Sequence, residues 1–233
     1  MGEAIGWGVL AASSLVIGSL LGLARRWPDR IVGLVLGFGA GALISAVSFD
    51  LAQEGARIGE AYVLGLGLAA GALAYFVLDR LLGRRGAAAG GAGAALALGA
   101  FLDGIPEQLV LGMGIATGDG VSVGLVVAIF VSNLPEAMGS SSAMRATGTR
   151  PAAIRRLWVG VALVCVAATL AGWAVADKAS GDVTAAVDGF AAGALLVMLI
   201  DTMIPEAVRK AGDVAGLVTV LGFAVAAGLT GIS

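Results

Sequence analysis

The sequence predicts an all-α integral membrane protein, a bundle of eight transmembrane helices. Three observations lead there. Hydrophobic residues make up 59% of the 233 positions and charged residues only 13%, against about 25% charged in a soluble domain. Eight apolar runs are each close to the roughly 20 residues that a membrane crossing needs. The basic residues fall almost wholly in alternate connections between those runs.

The runs lie at about 4–24, 31–53, 60–82, 92–116, 121–143, 156–176, 185–208 and 213–232. No basic segment precedes the first, so it reads as a span rather than a cleaved leader. The Gly/Ala-rich stretch Gly83–Gly93 predicts a short flexible cytoplasmic loop. The other connections are short, and residues 1–233 read as a single transmembrane domain. Arg25, Arg26 and Arg30 follow the first run, and Arg80, Arg84 and Arg85 follow the third. Arg145, Arg150, Arg155 and Arg156 follow the fifth, and Arg209 and Lys210 the seventh. These are twelve of the 14 basic residues; only Arg57 and Lys178 fall on the other side. The positive-inside rule then places the chain in the cytoplasmic membrane with both termini extracytoplasmic. The outer connections collect Glu3, Glu60, Asp119, Asp177, Asp182 and Asp188. Such acids either draw cations to a negative mouth or simply solvate the loops.

Composition also excludes several classes. The sole cysteine, Cys165, rules out a disulfide framework. The absence of histidine removes every Ser–His and Cys–His nucleophilic design. An intramembrane aspartyl protease finds only Gly118-Asp119 in a loop. No basic stripe suggests a nucleic-acid partner. The expectation is a non-enzyme without a prosthetic group, partnered by the lipid bilayer. Its 38 glycines permit close helix packing and a homodimer.

Ionisable groups near the bilayer centre cost at least about 2.5–3.5 kcal/mol each by insertion scales. Here they are acids: Asp103 and Glu107 in the fourth run, and Glu136, with Ser132 and Asn133, in the fifth. The spacings 103/107 and 132/136 put each pair on one helix face. Each glutamate follows a proline, Pro106 and Pro135. A helix-internal proline removes a backbone hydrogen bond, here freeing the carbonyls of Leu102 and Val131. No intramembrane Lys or Arg stands by, and neighbouring carboxylates repel unless protons or a cation neutralise them. A divalent cation satisfies them together. The alternative is packing kinks with protonated acids bonded between helices.

Two further acidic pairs flank this centre. Asp50 and Glu54 close the second run, near the outer mouth. Asp201 and Glu206 close the seventh, near the inner mouth. The segments before them are alike, Gly37-Phe38-Gly39-Ala40-Gly41-Ala42-Leu43 and Gly189-Phe190-Ala191-Ala192-Gly193-Ala194-Leu195. Pairs at three depths mark out a cation path. Near the motifs, Met113, Met138 and Met203 read as packing residues rather than ligands.

The segments Asp103-Gly104-Ile105-Pro106-Glu107 and Ser132-Asn133-Leu134-Pro135-Glu136 resemble the signature of the Zrt/Irt-like (ZIP) metal transporters. Asp50 to Glu54 and Thr202 to Glu206 are similar to the ends of that family's second and seventh spans. The resemblance runs from the second span to the seventh. It implies a ZIP-like fold and a divalent metal cation carried inward by alternating access. It makes Glu107 and Glu136 metal-bridging ligands, with Asp103 and Ser132 where the family has histidines. Gly104 replaces an asparagine, and Asn133 matches a polar position. An all-oxygen centre suits Mn²⁺, Mg²⁺ and other hard ions, and affinity order keeps Fe²⁺, Co²⁺, Zn²⁺ and Cd²⁺ in play. The rival readings are a carrier of an organic or proton-coupled cation and a non-transporting sensor.

Overall fold

The computed structural model describes residues 1–25, 27–89, 92–117, 123–176 and 179–230; side chains are described there except in 82–89, 92–103, 117 and 230. Helix α1 spans Gly2–Ala24 and α2 begins as Asp29–Ala46. α2 continues through a π-helical turn, Val47–Gln53, into Glu54–Ile58. Then follow α3 (Ala61–Ala89), α4 (Ala92–Thr117), α5 (Val123–Ala146) and α6 (Pro151–Ala176). α7 starts as Gly181–Met198, passes through a second π-helical turn, Leu199–Met203, and ends as Ile204–Ala211. α8 is Ala215–Thr230. Described residues form no strand.

Among the described residues, six segments are long and apolar enough to cross a membrane. The protein is a multi-pass helical membrane protein. The last segment, Gly181–Leu229, has 49 residues, more than twice the length of one crossing. It turns at Gly212, whose φ of 68° suits a residue without a Cβ. The expected loop at Gly83–Gly93 is instead helical to Ala89 and again from Ala92. Alanine and arginine are among the best helix formers, and scattered glycines do not stop such a run. Asp119, Asp177, Arg26 and Lys178 lie outside the described residues.

Polar contacts tie the helix ends together. Arg145 at the end of α5 donates to the Leu23 carbonyl at the end of α1. Lys210 near the end of α7 pairs at 2.7 Å with Asp29 at the start of α2. At the opposite end, the Glu60 N–H before α3 donates to Asp182 in the first turn of α7. Asp182 thus anchors a helix junction rather than a free loop. Asp188, expected among the outer loop acids, is 4% exposed within α7.

Helix packing repeats itself. The Phe38 carbonyl of α2 lies where a Cβ on Gly222 of α8 would sit, and the Phe190 carbonyl of α7 where one on Gly71 of α3 would sit. Gly41 meets the Thr219 carbonyl as Gly193 meets that of Leu68. The two similar segments therefore pack alike, α2 on α8 and α7 on α3. Both π-turns follow at the matching place. The main core joins α2, α4, α5 and α7 through Leu36, Leu43, Leu111, Ile129, Leu195 and Met203. A second core joins α1, α5 and α6 around Leu15, Ile154 and Trp158. α3 and α8 turn Leu66 and Leu217 outward, 67% and 72% exposed, as lipid-facing helices do.

These close approaches predict a sharp positional contrast. Gly41→Leu drives a side chain into the Thr219 backbone, and overpacking of this kind costs about 1–3 kcal/mol or more. Gly65→Leu on α3 enters open space. Thermal unfolding in detergent should show a lower midpoint for the first and little change for the second.

Candidate metal centre

Pro106 and Pro135 lie inside α4 and α5 rather than ending them. A helix-internal proline is tolerated in a membrane bundle because neighbouring groups can re-satisfy the backbone it frees. The Val131 carbonyl has no N–H at Pro135 to receive. It faces α2, 3.1 Å from the place a Cβ on Gly39 would take. Gly39 lets α2 come up to α5 at this level.

Each proline presents its glutamate to the interior. Glu107 is 1% exposed, and its carboxylate is close enough to Glu136 for the two to act on each other electrostatically. Asn133 Nδ2 donates to Glu107 Oε2 at 3.3 Å, bridging α5 to α4. The remaining Glu107 oxygen, Oε1, and Glu136 Oε2 are buried without a hydrogen-bond partner. A buried acceptor left unsatisfied is destabilising by about 1–3 kcal/mol, more if charged. Two such oxygens from adjacent carboxylates are the donor chemistry that a hard cation takes.

The other expected ligands fall at varied places. Ser132 and Asn133 are each 1% exposed. Ser132 Oγ donates to the Ile129 carbonyl at 3.1 Å, leaving lone pairs to accept. Asp103 belongs to α4, but its side chain is outside those described. Asp50 and Asp201 each sit in a π-turn. Asp50 is half-buried and Asp201 exposed. Glu54 is paired at 2.5 Å with Arg57. Glu206 is paired with Arg209 and, at 3.4 Å, with Lys210. The mouth glutamates thus meet basic neighbours one turn away. Among the described residues, no three Asp, Glu or Cys side chains form a cluster able to hold a metal. The centre is a carboxylate pair with an amide donor.

Two features escaped the sequence reading. The π-turns carry no local sequence signal, and such turns frequently mark functional positions. Gln108 is fully buried beside Glu107 and accepts from Thr169 of α6 at 2.5 Å. A glutamine in an apolar run signals as much, and the neighbouring glutamate drew the attention instead.

Fold and site together define a multi-pass helical membrane protein with a buried pair of carboxylates between two proline-kinked helices. The chain is similar to an Arabidopsis thaliana protein named "Putative zinc transporter", 30% identical over 189 residues, which are 77% of this chain. The match covers 30% of that relative's length. No family model matches the chain.

Glu107→Gln tests the pair without a transport assay. Its amide can donate to the unsatisfied Glu136 oxygen and removes one of two facing acids. In the presence of a chelator the thermal midpoint of the variant should rise above that of the parent. The increment that divalent ions add to the midpoint should shrink.

Proposed function

We propose that the protein carries divalent metal cations across the cytoplasmic (inner) membrane, inward, by alternating access. The observation that carries this reading is the pair of buried, unsatisfied carboxylate oxygens on Glu107 and Glu136. The relative named as a zinc transporter points to metal as the cargo class. Protons or an ion must offset the repulsion between the two acids, and a divalent ion bridging them does so with both side chains ionised.

The reading assigns eight crossings, α1 to α8, with the basic ends cytoplasmic and both termini outside. Glu107 and Glu136 bind the ion, with Asp103, Ser132 and Asn133 as further oxygen donors. Asp50 and Glu54 lie on the outer approach, Asp201 and Glu206 on the inner one. Opposite membrane directions for the similar α2 and α7 make them inverted repeats. Carriers of that kind rock one group of helices against another about a midplane site. Moving an ion needs no chemistry on it, so no enzymatic step and no prosthetic group enter. Glycine-lined helix faces support a homodimer. An oxygen-only set favours Mn²⁺ over Zn²⁺ more than a histidine site does.

Flux into proteoliposomes, measured for Mn²⁺, Fe²⁺, Zn²⁺, Cd²⁺, Co²⁺ and Mg²⁺, tests the proposal. At least one ion should enter, and Glu136→Ala should abolish its entry. Folded protein that moves none of the six would overturn it and favour an organic-cation carrier or a sensor. A thiol-reactive tag on residue 2 should label from the outside of intact cells; labelling only after lysis would reverse the orientation.

A further inference from the structure

Met203 ends the π-turn of α7 and is 1% exposed. Its terminal methyl lies 2.9 Å from the point a Cβ on Gly39 of α2 would occupy. The Ser132 Cα and the Val131 carbonyl oxygen of α5 lie 3.0 and 3.1 Å from that point. Three helices therefore meet here, and Met203 supplies the only side-chain atom among the three nearest to the glycine. Ser132 is one turn before Glu136 on the same helix face, so the methyl lies beside the stretch of α5 that leads to Glu136. The carbonyl beside it is the one that Pro135 deprives of its helical partner.

We propose that Met203 is a side-chain gate, closing the carboxylate site on the side where α2 and α7 meet α5. A thioether chain is unbranched and adapts to irregular spaces at little cost. A π-turn holds its last residue off regular helical register and is a common feature of functional positions. With the methionine swung aside, the space between Gly39 and α5 opens onto the Val131 carbonyl and Ser132. The gate rests on the transport reading for its cargo, and on the packing alone for its position.

Ser132→Cys in a Cys165→Ala background gives a protein with one thiol at the closed space. Its reaction with a small cationic methanethiosulfonate is followed with Met203 intact and as Met203→Ala, Met203→Leu and Met203→Val. The expected result is several-fold faster labelling for Ala, an intermediate rate for Val and the parent rate for Leu, which fills the same volume. Equal rates for Ala and the parent, or a Leu variant as fast as Ala, would overturn the gate. Matching thermal midpoints for the Leu and Val variants guard against unfolding. Absent metal flux with the labelling order intact removes the metal cargo and leaves the gate standing.

Discussion

Two acidic side chains that act on each other electrostatically, each with a buried oxygen that lacks a donor, constrain the helices around them. They are Glu107 on α4 and Glu136 on α5. Water solvates such groups freely, whereas a bilayer interior does not. The surrounding helices respond locally. Asn133 offers an amide from α5 to α4, the two prolines set the helix kinks, and Gly39 lets α2 approach the backbone at the level of Ser132.

That arrangement depends on close helix contact elsewhere. Lipid is as apolar as leucine, so hydrophobicity does not drive membrane helices together; van der Waals packing does. Glycines at Gly41, Gly71, Gly193 and Gly222 place backbone on backbone. The resulting α2–α8 and α7–α3 pairs are alike, and each is continued by a π-turn. The ion pairs at the helix ends, Lys210 with Asp29 and Arg57 with Glu54, are exposed. They set the register of the ends more than they add stability.

Much of the architecture was legible beforehand. Among the described residues six segments long and apolar enough to cross a membrane are helical, because a backbone in lipid must satisfy its own hydrogen bonds. The carboxylates of Glu107 and Glu136 were legible because a charge in an apolar run has few structural explanations. Glycine content suggested a break at Gly83–Gly93, whereas alanine and arginine keep the chain helical to Ala89 and glycine and alanine from Ala92 onward. Asp188, grouped with the outer loop acids, is buried within α7, since proximity to a helix end in sequence does not reveal what packs over it. The arginines three residues after Glu54 and Glu206 turn back onto them, a rotamer choice that residue types do not reveal.

The sequence by itself determined that this is a polytopic membrane protein, which connections are basic, and which acids interrupt the apolar runs. Those properties follow from residue types and spacing along one chain, because lipid imposes the same rule on every helix. Only the tertiary structure decided which acids become neighbours, which carbonyls meet glycine, and that Met203 stands between α2 and α5. Such facts depend on the rotation and depth of each helix against the others. They are set by small-residue contacts far apart in the chain, and no local pattern encodes them.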